Sequence, residues 1–275
     1  MRVHHLKCAS FHPPGGTLVC HCLLVETQAG LVLVDSGLGR EDIRHPRPRL
    51  AVMTLAMLRP TLVDEDCASV QVERLGHKLA DVRHIVLTHL DCDHAGGLED
   101  FPNALVHVHR TELDAALNAT SCAERARYRP AQWTWLGERW RPHRRGSSTW
   151  SGLPVLEQGD LPAGLEMVEL PGHTWGHCGV TVDHGSHVLL YAGDAYFHRS
   201  EVRSPGLGVP LTLRLTELFD RVDASAWRES RAALRAILVQ DRHVAVFCAH
   251  DPIELREMQE AEATPTTVAG GRTAA

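Results

Sequence analysis

His84-Ile85-Val86-Leu87-Thr88-His89-Leu90-Asp91-Cys92-Asp93-His94-Ala95-Gly96-Gly97 begins as a continuous apolar run, the pattern of a strand buried on both faces. Within the next six residues it delivers two imidazoles and two carboxylates. A regular element could not aim all four at one point, whereas a tight loop at a strand's carboxyl end can, and two neighbouring metal ions become an option. Taken singly, Asp93 reads as a helix N-cap and His89 as a surface residue. Four such groups together point to metal binding. Gly96-Gly97 lets the backbone approach closely where a helix starts.

Three later stretches also put a metal-ligating side chain just past an expected strand: Pro171-Gly172-His173-Thr174-Trp175-Gly176-His177, Tyr191-Ala192-Gly193-Asp194 and Cys248-Ala249-His250-Asp251. Loops at strand ends are where layered α/β proteins carry their sites. Upstream, the pattern predicts a strand at 3–8 and a hairpin of 18–26 with 31–35, turning at Gln28-Ala29-Gly30. Helices are expected near 50–58, 68–79 and 227–239, and further strands near 166–170, 179–182, 188–191 and 244–248.

In order along the chain, Asp35, His89-x-Asp91-x-Asp93-His94, His173, Asp194 and His250 resemble the five motifs of the metallo-β-lactamase superfamily. The resemblance spans about residues 3–255, with 78, 20 and 55 residues between His94, His173, Asp194 and His250. It implies an αββα sandwich with the site at one edge of its two sheets. One metal would rest on His89, Asp91 and His173, the other on Asp93, His94 and His250, with Asp194 bridging. Asp35 would stand behind a ligand or its loop; a plain turn residue is the alternative. His177, the second histidine of the Gly-His-Thr-x-Gly-His pattern, would support the loop by hydrogen bonding.

Asp91 departs from the family's usual motif, which has histidine there. Two divalent ions are expected, zinc first since it also accepts aspartate; a carboxylate is harder than imidazole and adds negative charge, which makes manganese or iron the alternatives. The flavodiiron branch is similar in placing a carboxylate at this point. Two ions a few ångströms apart bring a bridging water from a pKa of about 15.7 to about 7. The expectation is therefore a metal-dependent hydrolase acting on a small ester or lactone carbonyl, with Asp93, Asp194 and Tyr196 as catalytic candidates and Asp93 passing a proton to the leaving group. Small-lactone hydrolases of the superfamily place a tyrosine shortly after the bridging aspartate. Here Phe197 holds that offset and Tyr196 precedes it, so a packed tyrosine is the competing reading. Competing with hydrolysis of an ester or lactone are iron-dependent redox chemistry, di-iron included, and the phosphodiester cleavage of a phosphodiesterase or nuclease of the same fold.

The bulk properties fit. Of 275 residues, 44% are hydrophobic and 23% charged, enough to build a core and too many apolar groups for disorder. A net charge of −6 gives no field to attract nucleic acid. No signal-peptide pattern or long apolar run occurs, so a cytoplasmic location and no membrane contact are expected, and the eight scattered cysteines read as thiols. Cys20-His21-Cys22 lies within a strand pattern and reads as core. One domain over 1–260 is expected, with 111–150 as an insertion or lid and 261–275 as a frayed tail. Between Glu124 and Arg145, seven arginines face two glutamates among several tryptophans. That stretch suits an anionic or acyl-bearing substrate, or alternatively core completion or a homodimer contact.

Overall fold

The computed structural model describes residues 1–185, 187–204 and 208–263. Its first sheet runs in chain order: β1 (Arg2–Phe11), β2 (Leu18–Thr27), β3 (Gly30–Val34), β4 (Val82–Val86), β5 (Leu105–His109) and β6 (Trp140–His143). The second comprises β7 (Arg145–Trp150), β8 (Leu153–Leu156), β9 (Leu165–Glu169), β10 (Cys178–Asp183), β11 (Val188–Tyr191) and β12 (Val244–Phe247), in the order β12-β11-β10-β9-β8-β7. β1 to β3 are antiparallel, and β3 to β6 parallel. In the second sheet only the β11–β12 pair is parallel.

Strand alternation explains why so many segments are apolar throughout. Val32, Val34 and Val86 point at Val180, Val182 and Tyr191 of the second sheet, forming the layer between the sheets. Their neighbours Leu31, Leu33 and Ile85 point the other way, onto Val72, Leu98 and Leu113 of the helical layer. On the far side of the second sheet, Leu190 and Val246 meet Leu234 and Ile237 of the helix Ala224–Gln240. Four layers, αββα, result.

Three expectations are adjusted. The helix expected at 50–58 is present as a short, widened one, with Thr54–Leu58 a π-helix, and a separate short helix, Pro46–Arg49, precedes it. Val52, Met53 and Met57 are exposed, so no buried face holds a longer helix, and Arg59 turns left-handed at φ 50° ahead of Pro60. The stretch 111–150 divides: Arg110–Leu117 and Cys122–Arg127 are helical, whereas β6 and β7 border the two sheets. Trp133 and Leu136 lie in the core. Residues 261–263 complete the helix Pro252–Ala263, and the rest of the expected tail lies outside the described residues. Among the described residues, no helix is long and apolar enough to cross a membrane.

Candidate metal centre

β3 and β4 are adjacent and parallel, so their carboxyl ends present Asp35 and the loop from Thr88 to His94 side by side. Asp35 has a left-handed backbone (φ 54°) and is fully buried, conditions an aspartate meets only with its carboxylate satisfied. Oδ1 accepts from the Thr88 amide at 2.8 Å. Oδ2 accepts from Thr88 Oγ1 at 2.8 Å, from His94 Nδ1 at 2.8 Å and from the Tyr191 hydroxyl at 3.1 Å. The motif loop is pressed against the Ser36 turn, where a Cβ on Gly97 would lie 2.5 Å from the Ser36 carbonyl oxygen.

These bonds fix the imidazole faces. The Thr88 hydroxyl, donating to Asp35, accepts from His89 Nδ1 at 2.9 Å. His250 Nδ1 donates to the Val19 carbonyl at 2.7 Å. His89, His94 and His250 therefore all turn Nε2 into one space, the arrangement in which a second partner orients a metal-binding histidine. His177 Nδ1 donates to the Leu170 carbonyl at 2.8 Å, and its Nε2 accepts from the Asp194 amide at 2.9 Å. Burial, followed by the neighbouring His173, holds His177 down at about 3, in keeping with a neutral loop support.

Three sets of potential ligands converge: His89, Asp91 and His173; His89, His94 and Asp194; and Asp93, His94 and His250, each with ligand atoms within 4.8 Å of one another. Asp194 belongs between the other two sets, since its Oδ1 is 3.3 Å from His94 Nε2 and its Oδ2 is 3.0 Å from His250 Nε2 and 3.5 Å from His173 Nε2. His89 Nε2, His94 Nε2, Asp91 Oδ1 and Asp194 Oδ1 are buried without a hydrogen-bond partner. Orphaned acceptors aimed at one another are costly unless a cation completes them, so the donor set fits two divalent ions. Without one, the cluster must hold protons. Burial opposes charge on His250 and His94, but Asp194 outweighs it, pushing His250 up to about 10 and His94 well above its ordinary value. Burial would also raise Asp194, and the two imidazoles hold it well below the carboxylate range instead.

Two residues outside the expected set complete the site. Glu112, fully buried in the helix Arg110–Leu117, accepts from the Leu90 amide at 3.0 Å and the Gly176 amide at 3.1 Å, tying the motif loop to the His173 loop. Arg127 Nη1 lies 2.7 Å from Asp91 Oδ2 and 3.1 Å from His173 Nε2. Its Nη2 donates to Asp220 Oδ1 at 3.0 Å. Burial raises the Asp91 carboxyl and Arg127 more than reverses this, leaving it well below its ordinary value. Arg127 thus offsets the charge that aspartate adds where the usual motif has histidine.

The expected catalytic role of Tyr196 is corrected. It is fully buried and its hydroxyl donates to Glu254 Oε2 at 3.0 Å, in the core between the second sheet and its helices. Phe197 is the residue that borders the site cavity. That cavity, about 580 Å³, has apolar walls from Phe11, Leu18, Trp175 and Phe197 and a floor that includes Asp91, Asp93, Asp194 and His250. Of the tryptophans in the Arg/Trp-rich stretch, none lines it; Trp133 packs in the core and Trp135 stacks beneath Arg139 at 4.7 Å. Arg125, Arg129, Arg139, Arg141 and Arg145 engage carbonyls or carboxylates elsewhere, whereas Arg127 reaches the ligands.

Comparison with known proteins agrees with this fold. A probable metallo-hydrolase of Mycobacterium tuberculosis is 40% identical over 256 residues, 92% of this chain and 81% of its own length. An N-acyl homoserine lactonase of Bacillus thuringiensis is 28% identical over 158 residues, 57% of this chain and 55% of its own. The fold matches a Bacillus thuringiensis AiiA variant, solved with N-decanoyl-L-homoserine at its active site, with a TM-score of 0.70 at 21% identity, covering 93% and 95% of the two chains. The profile of the metallo-beta-lactamase superfamily matches residues 15–250, and the chain belongs to that superfamily.

Proposed function

We propose that this metallo-hydrolase opens a small lactone or cleaves a small ester whose acyl part is apolar. The observation that carries the proposal is the cavity, with apolar walls above a floor of convergent imidazoles and carboxylates. Its volume suits a metabolite-sized ligand. The lactonase relative and the acyl-homoserine found in the AiiA variant support an acyl lactone as the first substrate class to try.

His89, Asp91 and His173 would hold one ion and Asp93, His94 and His250 the other, with Asp194 shared. Two divalent ions there supply an acidified water and electrophilic activation of a carbonyl. Zinc is the proposed metal, since it accepts imidazole and carboxylate together and Arg127 removes the excess charge that would favour a harder ion. The protein's own part is orientation and proton handling. Asp35 and Thr88 hold His94 and His89 in the tautomers that present Nε2. Asp93, which lines the cavity floor beside the proposed ions, is the group proposed to relay a proton to the departing alkoxide. Phe11, Leu18, Trp175 and Phe197 exclude water from the acyl part.

The test is a substrate panel of N-acyl lactones of varied chain length, p-nitrophenyl esters and bis-p-nitrophenyl phosphate, run with wild type and His250→Ala. Turnover of lactones or esters, improving with acyl length and lost in the variant, is the expected result. Turnover of the phosphodiester alone would overturn the proposal in favour of a phosphodiesterase.

A further inference from the structure

At the opposite end of the first sheet from the metal centre, His4, Glu26 and His77 bring three ligand atoms within 4.8 Å of one another. The Val19 end of β2 bonds to His250, and Glu26 lies seven residues further along the strand, roughly 23 Å at β-strand rise. The cluster is therefore separate from the catalytic nest. We propose that it is a second, non-catalytic zinc site, ligated by His4 Nε2, His77 Nε2 and a Glu26 carboxylate oxygen, with Glu262 as the carboxylate that orients His4.

Each component is placed by the fold. His4 in β1 pairs with Leu24 in β2, which puts Glu26 diagonally across on the same face, the face that carries the helical layer. His77 arrives from that layer: it follows the helix Ala68–Arg74 through the left-handed Gly76 (φ 87°), and its amide donates back to the Val72 carbonyl at 3.2 Å. His4 is 3% exposed, and its Nε2 lies 2.8 Å from Glu26 Oε1, which is 3.7 Å from His77 Nε2. On the other side, His4 Nδ1 lies 2.5 Å from Glu262 Oε1, and Glu262 Oε2 accepts from the His5 amide at 3.2 Å.

A carboxylate on Nδ1, with Nε2 turned toward the other ligand atoms, is the pattern in which zinc-binding histidines are held. A ring facing carboxylates through both nitrogens can give one face to a cation. A zinc ion takes the place of the Nε2 proton, and the proton leaves to solvent. Two neutral imidazoles and two carboxylates then balance the two charges of the ion. Ligand atoms about 2.0–2.2 Å from zinc lie roughly 3.3 Å apart in a tetrahedron, so Glu26 withdraws slightly from His4 and draws His77 in, with water as the fourth ligand. The ion would fasten β1, β2, the turn after Ala68–Arg74 and the C-terminal helix to one another.

The test is zinc per chain, by equilibrium dialysis against micromolar free zinc and elemental analysis, in wild type, His77→Ala, Glu26→Gln and, as a control histidine, His12→Ala. His77 and Glu26 are partly exposed, so these variants leave the core intact. The expected result is one zinc fewer in His77→Ala and in Glu26→Gln, none fewer in His12→Ala, and unchanged turnover. Zinc should also raise the thermal midpoint of wild type by a larger margin than that of His77→Ala. Because the reading is a difference between chains with the same catalytic nest, it stands whether or not that nest holds two ions. Equal zinc content and equal thermal response in wild type and His77→Ala would overturn the site.

Discussion

Arg127 and Asp91 form a largely buried pair whose two halves lie 36 residues apart. Removing one partner of a buried pair leaves the other charge uncompensated, a cost of about 3–5 kcal/mol when burial is complete. Because both side chains keep some solvent contact, Arg127→Ala should destabilise the metal-free protein by about 2–3 kcal/mol in denaturant melts. Arg127→Lys should recover only part of this, since lysine keeps the charge but loses the fork shared by Asp91 and Asp220. Equal stability of Arg127→Ala and wild type would mean that Asp91 is balanced by another group. Glu112→Ala should orphan the Leu90 and Gly176 amides at about 1–3 kcal/mol each and reduce metal retention by His89 and His173, measured as metal left after dialysis. The seven proposed ligands were legible in the sequence because each follows a strand and their order is distinctive. Glu112 was not, since an acidic residue in the first turn of a helix already has a local explanation in the helix dipole. Arg127 stood out only as one of seven arginines, and nothing local distinguishes the one whose helix faces the site.

The strands β4, β5 and β6 are stitched by a line of imidazoles: His84 Nδ1 to His107 Nε2 at 2.9 Å, His107 Nδ1 to His143 Nε2 at 2.8 Å, and His143 Nδ1 to the Glu157 carbonyl at 2.7 Å. With His143 Nδ1 donating to a carbonyl, the line is satisfied when each ring donates through Nδ1 and accepts through Nε2. Burial, then the facing His143 and His84 and the nearby Arg141, holds His107 down at about 3. Burial, then His184 and His4, holds His5 at about 4. The unfolded chain protonates such rings near 6.5 and the folded chain does not. Stability is thus full above about pH 6.5 and falls by ~1.4 kcal/mol per pH unit for each ring as pH drops toward those lower values. Urea melts of His107→Leu should show a shallower acid slope than wild type between about pH 6 and about pH 4; an unchanged slope would mean that His107 is protonated in the folded protein. Most strands were legible as elements because both faces are apolar. β6 and β7 were not: Trp140-Arg141-Pro142-His143 and Arg145-Gly146-Ser147-Ser148-Thr149-Trp150 carry no apolar alternation, because they border the sheets and are half-exposed.

Taken together, two sheets that end side by side supply everything the metal centre needs: β3 and β4 give Asp35 and the motif loop, the turns after β9 and β11 give His173 and Asp194, and the turn after β12 gives His250. The helix Cys122–Arg127 then covers one side of the cavity, pinned through Arg127 to Asp91 and Asp220. The four-layer architecture was legible as a family resemblance, while the apolar cavity depends on Phe11, Leu18 and Trp175, residues far apart in the chain that no local pattern groups together. The proposed hydrolase requires two ions at this edge, and the direct measurement is metal per chain in wild type against the double variant Asp91→Ala/His250→Ala, purified without added metal. A loss of about two ions in a double variant that stays folded is the expected result, each substitution breaking one ligand set. The same metal content in both proteins would contradict a two-ion centre built on these residues.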